Sequence, residues 1–313
     1  MSPRIVGLIG ATASGKTGVS IDVVRACRER GVEVEIVVLD SRQLYRGLDV
    51  GTGKPSAAEQ DEVRHHLLDV IDVTEAPDAQ TYREWVEVAV REIVERGNVP
   101  VLVGGSGFYL RALKEGFHTI EASDAEREAV RERVRGMDGQ AVDAELRRVD
   151  PVTADRLHAN DRYRRGRALE IALLSGKAPS DLEASFEPRP VLDAAFDLVH
   201  LHVERRVLHQ RIEQRTTQWL EAGWADEVRG FLDTGTSPDA PGLDILGYRD
   251  VVAWVQGTID RETAIERIDT GTRRYARSQE TWFRKEEVRA RGAADAAAEA
   301  LRAAVLDSAR APN

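Results

Sequence analysis

The chain has 313 residues, 42% of them apolar, and its 44 basic and 54 acidic side chains leave a net charge of −10. That length can fold as one large domain or two smaller ones around a proper core, and no apolar run approaches the ~20 residues needed to cross a bilayer. A single cysteine, Cys27, excludes an internal disulfide framework and a cysteine zinc cluster. In chain order, Met-Ser-Pro-Arg leads straight into an apolar run, so no signal peptide is expected and the protein is placed in the cytoplasm. Ile5 to Ile9 predicts a buried strand. Next comes Gly10-Ala-Thr-Ala-Ser-Gly15-Lys16-Thr17, which reads G-x-x-x-x-G-K-[ST], a phosphate-binding P-loop. A helix follows from Gly18 to Arg30, with Gly31 in place to end it. A loop between a strand and a helix N-terminus turns backbone N–H groups and the helix dipole toward an anion. Gly10, Thr12, Ala13, Ser14 and Gly15 would form the cradle, Lys16 adds a mobile cation, and the Thr17 hydroxyl can hold a Mg²⁺ that bridges phosphate oxygens. Only five lysines occur among the 44 basic residues, which sharpens the match at Lys16.

Val34 to Leu39 predicts a second strand, ending on Asp40. Residues 41–74, rich in Gly and polar side chains, read as functional loop with short helical pieces. Thr81 to Arg96 has helical spacing, and Val99 to Val103 is a third strand running into Gly104-Gly105-Ser106-Gly107. Strands alternating with helices imply a P-loop NTPase-like α/β fold, a parallel sheet flanked by helices with ligands at the carboxyl ends of its strands. The P-loop, Asp40 and Ser106 all fall at such ends and should meet in one crevice. From Gly116 the texture becomes charged, helical and poor in strands. Ser123-Asp-Ala-Glu126 is a capping box, Asp150-Pro151 and Asn160-Asp161 are further helix starts, and Gly176 is a stop. This gives a discontinuous core of residues 1–115 and 191–288, an all-helical insertion of residues 116–190, and a tail of residues 289–313 that is helical or frayed. Phe196 to Val203 returns as a strand, followed by helices over Arg206 to Ala222, Trp224 to Leu232 and Arg261 to Arg284.

Two basic islands run against the acidic average, Arg156 to Arg167 and Arg273 to Lys285. Such runs are usually solvated helix faces. A P-loop alone suits kinases, ATPases and GTPases, which generally also carry an Asp at a strand end to help hold Mg²⁺. The strand ending in Gly104 offers none. Asp40 can take that role, or it can act as a general base at the head of the polar stretch Asp40-Ser41-Arg42-Gln43. His65 and His66 suggest a metal pair, but adjacent residues rarely ligate one ion together, so a structural or phosphate-contacting role is preferred.

The sequence resembles the tRNA dimethylallyltransferases, also called tRNA isopentenyltransferases. The residues carrying the match are G-A-T-A-S-G-K-T from Gly10, D-S-R-Q-L-Y-R-G-L-D-V-G-T-G-K-P from Asp40 to Pro55, H-H-L-L-D from His65 and G-G-S-G-F-Y from Gly104. Further on come N-D-R-Y-R-R-G-R-A-L-E from Asn160, R-I-E-Q-R from Arg211, G-Y-R from Gly247 and T-R-R-Y-A-R-S-Q-E-T-W-F-R from Thr272. These stretches are collinear over residues 5–288, and the block from Asp40 is far more specific than the P-loop. The resemblance implies transfer of a dimethylallyl group from dimethylallyl diphosphate to the exocyclic amine of the adenosine 3′ of the anticodon in tRNA.

On that reading the P-loop holds the diphosphate leaving group, with Mg²⁺ at Thr17, and Arg215 adds a second cation to Lys16. Asp40 takes the proton from the attacking amine, and Ser106 stands where the family usually has Thr. The adenine has to be flipped out of a stacked loop into the crevice, where Ser41, Arg42 and Gln43 would hold it. Tyr163, Arg164, Arg165, Gly166 and Arg167, together with Gly247, Tyr248, Arg249, Arg273 and Arg277, match stretches that contact the anticodon stem-loop. Three departures remove positive charge from the RNA side, namely Asp244, Ser278 and Glu128, although Arg127 is adjacent to the last. A monomer is expected. The competing readings are an adenylate isopentenyltransferase acting on free AMP, ADP or ATP, a P-loop small-molecule kinase, and a catalytically silent RNA-binding protein.

Overall fold

The computed structural model describes residues 3–310 except Pro77, Thr119 and Glu121. By contacts the chain divides into two compact units, one formed by residues up to Lys114 and from Pro190 onward, the other by Glu115–Arg189.

The first unit is built on one six-stranded sheet in the order β3-β2-β4-β1-β5-β6, with every pairing parallel. Its strands are β1 (Arg4–Ile9), β2 (Val34–Leu39), β3 (His65–His66), β4 (Val99–Gly104), β5 (Ala195–Leu201) and β6 (Ala290–Gly292). Five of the six residues of β1 and all six of β2 are buried, as expected of strands covered on both faces. Helix α1 (Lys16–Arg28) follows β1 and buries Ile21, Val23, Val24 and Cys27, so the lone cysteine is a packing residue. Helix α3 (Ala79–Glu95) buries Tyr82, Val86, Ala89, Val90 and Ile93, an i, i+4, i+7, i+8, i+11 stripe facing the core. Between them lie α2 (Ala57–Glu62), opened by a Ser56–Glu59 capping box, and the two-residue β3. That edge strand, too short for a periodicity signal, lies within the stretch expected to be loop. Helix α4 (Gly107–Glu115) starts directly after the glycines that end β4.

The second unit holds α5 (Asp124–Arg135), α6 (Gly139–Val149), α7 (Pro151–Arg156), α8 (Arg162–Ser175) and α9 (Pro179–Ala184). Side chains of Ser123, Asp138, Asp150 and Asp161 accept N–H bonds at the starts of α5 to α8, and Gly176 ends α8 in the left-handed region. Asp150 is buried and does double duty, accepting from Thr153 N and from both N and Oγ of Ser180 at 2.8–2.9 Å. It thereby ties α7 to α9.

The first unit resumes with β5, then α10 (Arg205–Glu221), α11 (Trp224–Asp233), α12 (Tyr248–Val255), α13 (Arg261–Phe283) and α14 (Ala294–Arg310). The expected separate tail needs correction. Residues 290–292 pair with β5 as an edge strand, and α14 packs on α1 and the sheet. Ala297, Leu301, Ala304 and Val305 are its buried face, and the alanines allow the close approach. Residues 311–313 of that tail lie outside the described residues.

Candidate active site

The P-loop follows β1 and closes over the start of α1. Gly15 sits at φ 94°, left-handed backbone that favours glycine, and Ala13 takes φ 62° without being glycine. A non-glycine held there stores strain of the kind found at ligand-binding turns. Lys16 Nζ donates to the carbonyls of Gly10 and Ala11 at 3.0 and 2.8 Å, so the cation folds back on its own loop. Burial lowers its pKa to about 8, against an opposing pull from Asp40.

Helix α10 delivers two arginines to this loop. Arg211 Nη1 donates to Ser14 O, and Arg215 Nη2 donates to Thr12 Oγ1, both at 3.0 Å. Arg215 also lies 4.3 Å over the Trp219 ring. Arg211, Arg215 and Trp219 are spaced by four, one face of a helix. Burial, reinforced by the nearby Arg42 charge, lowers the Arg215 pKa to about 10.

At the end of β2, Asp40 Oδ1 accepts from Arg42 N at 3.0 Å, a turn of the kind Asp favours. The Arg42 guanidinium lies 3.6 Å from the same oxygen and 5.0 Å from the Tyr275 ring centroid. Gln43 donates to the carbonyl of Gly53 at 3.0 Å, holding the Asp40–Pro55 loop closed on itself. A cleft of about 480 Å³ joins these parts, lined among others by Thr12, Lys16, Thr17, Asp40, Arg42 and Arg215. Gln43, Ala13 and Gly15 also face it, while Gly10 and Ser14 lie behind the loop. Among its lining groups, the Thr17 hydroxyl and the Asp40 carboxylate are oxygen ligands of the hard kind that suits Mg²⁺ alongside phosphate oxygens. Ser41 and Ser106 are half-buried next to these elements, and Ser106 Oγ accepts from Tyr109 N at 3.5 Å.

The expected RNA-contacting residues divide. Tyr163 is 84% exposed on α8, Arg164 is exposed beside Asp161, and Arg167 pairs with Glu170 at 2.7 Å next to the half-buried Gly166. Arg165 needs correction, because it is 2% exposed and donates to the carbonyls of Ala154 and Leu157 and to Asp143. It points inward, and its charge is spent within the helical unit. Tyr248 also needs correction. It is fully buried, donating to Glu227 at 2.5 Å and accepting from Gly51 N at 3.1 Å. Gly247 at φ 90° gives the turn into α12, and Arg249 is exposed with Asp244 3.8 Å away. Arg273 bonds Glu213 at 2.8 Å, while Arg277 is exposed. The histidine pair separates, with His66 bonding the buried Glu35 at 2.6 Å and His65 facing the cleft.

Several residues at the site take no role of their own from sequence. Gln279 of α13 bonds the P-loop, Tyr275 underlies Arg42, and Trp219 backs Arg215. Arg211, Tyr275 and Gln279 stand inside the matched stretches, and Trp219 was within reach of helical spacing from Arg215. Nearby, His200, His202 and Glu280 bring possible ligand atoms within 4.8 Å of one another. Arg291 Nε–H, however, donates to His200 Nδ1 at 2.8 Å, which puts the ring proton on Nε2 facing Glu280 and leaves that nitrogen no lone pair for a metal.

A family model described as IPP transferase matches residues 43–286. The chain is 38% identical over 289 residues to tRNA dimethylallyltransferase 1 of Trichlorobacter lovleyi, covering 91% of this chain and 92% of the relative. It is 38% identical over 286 residues to tRNA dimethylallyltransferase of Geobacter sulfurreducens, covering 90% and 89%. Among solved structures, the full-length tRNA isopentenylpyrophosphate transferase of Bacillus halodurans is similar at TM-score 0.69 and 31% identity, over 98% of this chain and 96% of that one. A eukaryotic dimethylallyltransferase, described as acting on tRNA, shares the fold at TM-score 0.75 and 24% identity, over 90% of this chain and 70% of that one. On the family match and the identity to these curated relatives, the chain belongs to the IPP transferase family.

Proposed function

We propose that the protein transfers the dimethylallyl group of dimethylallyl diphosphate to the exocyclic amine of the adenosine 3′ of the anticodon in tRNA, releasing diphosphate. The observation that carries this reading is the charge of the cleft, where Lys16, Arg42, Arg211, Arg215 and a Lys54 paired with Asp49 and Asp69 line one cavity and the carboxylates are Asp40 and Glu59. Such a surplus of cations suits a leaving group whose negative charge grows as the C–O bond breaks. Lys16 leaves its own loop carbonyls for the phosphate oxygens, and Arg215 approaches from α10. Mg²⁺ held by Thr17 and the phosphates would neutralise further charge on the leaving group.

In the transfer, the adenine nitrogen forms a bond to the allylic carbon while the bond from that carbon to the diphosphate oxygen breaks, its electron pair leaving with the diphosphate. The amine's surplus proton passes to Asp40. Oδ1 is engaged by Arg42, so Oδ2 is the accepting oxygen. Ser106, beside the glycines that end β4, supplies a hydroxyl to the reacting groups, and Ser41 and Arg42 hold the flipped base. Tyr163, Arg164, Arg249 and Arg277, exposed on their helices, and the half-buried Arg167 contact the RNA outside the cleft.

The test is competitive. Labelled dimethylallyl diphosphate and Mg²⁺ are offered with an anticodon stem-loop carrying the acceptor adenosine, together with excess AMP, and kcat/KM is compared. Label in the stem-loop is the expected result. Preference for AMP would establish the adenylate enzyme instead, and consumption of an ATP γ-phosphate would establish a kinase.

A further inference from the structure

Gln279 reaches the P-loop from the far end of the chain. It lies on α13 in the stretch expected to serve RNA, yet it is only 4% exposed. Its Oε1 accepts from Thr12 N at 2.8 Å, and its Nε2 donates to Gly105 O at 2.7 Å. Both neighbours are unambiguous: a backbone N–H can only donate and a carbonyl can only accept, so the amide has one orientation. A Cβ on Gly105 would overlap the Gln279 amide nitrogen, so the glycine makes room for this contact.

What the amide joins gives it meaning. Thr12 is the P-loop residue whose hydroxyl receives Arg215. Gly105 precedes Ser106, and the N–H groups of both donate to Leu39 O at 3.1 Å, one residue before Asp40. One buried side chain therefore spans the loop that carries the diphosphate cations and the loop that carries Ser106. Because the Thr12 N–H is already taken, the anion's amide contacts fall further along the loop, at the start of α1.

We propose that Gln279 is a positioning residue for the leaving group: it fixes the Thr12 turn, and through it Arg215, against the end of β4. This rests on the reading of the cleft as the diphosphate site. Glutamate at this position keeps the acceptor for Thr12 N–H but sets an oxygen against the Gly105 carbonyl. Leucine loses both bonds. Neither change touches an exposed RNA-facing residue.

The experiment compares wild type, Gln279→Leu and Gln279→Glu by calorimetric Kd for inorganic diphosphate with Mg²⁺, by KM for dimethylallyl diphosphate and for tRNA, and by Tm. Two lost buried hydrogen bonds predict that Gln279→Leu raises the diphosphate Kd and the dimethylallyl diphosphate KM about tenfold or more, with the tRNA KM changed less than about twofold. A lowered Tm with unchanged Kd and KM would make Gln279 a structural strut only and overturn the proposal. If Gln279→Leu does not fold, Gln279→Glu, nearly identical in shape, decides by the same two constants. Wild type that fails to bind diphosphate would overturn the cleft reading itself, and the positioning role with it. Wild-type binding with unaffected variants overturns the positioning role alone.

Discussion

Glu35 shows what single residues do in this sheet. It is a carboxylate on the wholly buried β2, only 5% exposed, and it survives there because Arg96 donates two bonds at 2.8 Å while Asn98 and His66 take up the remaining lone pairs. Burial alone would raise its pKa; the bonds from Arg96, His66 and Asn98 outweigh that and bring it down to about 2. A carboxylate with a depressed folded pKa stabilises fully above its unfolded value of about 4.3 and loses that contribution as pH falls toward about 2. Glu35→Gln should therefore cost about 2–3 kcal/mol at pH 7, discounted for the partly exposed Arg96. The gap from wild type, read by urea unfolding, should close as the pH is lowered from 5 to about 2. A gap that persists at acid pH would mean that shape, not charge, is what β2 needs there. At the cleft the expectation is kinetic. Asp40→Asn keeps the turn to Arg42 N but accepts no proton, so kcat should fall by about 10²-fold with diphosphate binding intact. Unchanged turnover would leave Asp40 a positioning or metal-binding residue.

Elements were legible where periodicity runs long. Strands β1, β2, β4 and β5 and helices α3, α10, α11 and α13 follow apolar patterns, and the P-loop joins the first two elements by letter and context alike. Short or glycine-led elements were not legible. A two-residue β3 has no period, α4 begins at a glycine, and α12 is announced only by Gly247 in a left-handed turn. The C-terminal α14 was visible as helix-forming composition, but its place was not, because an alanine-rich face carries little hydrophobic signal. Its burial yields a prediction. Leu301 is 1% exposed among Val305, Ala297 and the α1 side of the sheet, so Leu301→Ala should cost about 2–5 kcal/mol. A loss below about 1 kcal/mol, the size of a surface change, would show that α14 is peripheral to the fold. At the site, the residues legible in sequence were those in contiguous motifs. Gln279 stands in such a stretch, but its role was not legible there, since its partner Thr12 lies 267 positions away and no local pattern reports such a bond.

At the scale of the whole molecule the difficulty is charge: a net −10 for a protein proposed to hold tRNA. Counting charges is less informative than following them. Many arginines are neutralised within the fold, Arg165 by Asp143 and Arg96 by Glu35 among them, and such residues contribute little field outside. What RNA can meet are arginines such as the exposed Arg164, 3.5 Å from the Asp161 that caps α8, and the half-buried Arg167, 2.7 Å from Glu170 on the same helix. An exposed pair such as Arg164–Asp161 is worth about 0–1 kcal/mol and yields readily to a phosphate. Replacing both with glutamate should leave the helical unit folded, weaken tRNA binding, and flatten the slope of log Kd against log salt. Each lost phosphate contact removes about 0.7–0.9 from that slope, because one fewer counterion is released. Arg165→Glu is the control of opposite kind. It should unfold the helical unit, since it places a carboxylate against Asp143 and the carbonyls of Ala154 and Leu157. A salt slope unaltered in the Arg164 and Arg167 double variant would move the RNA surface off α8 altogether. The exposed Arg249 and Arg277 would then be the next residues to carry it.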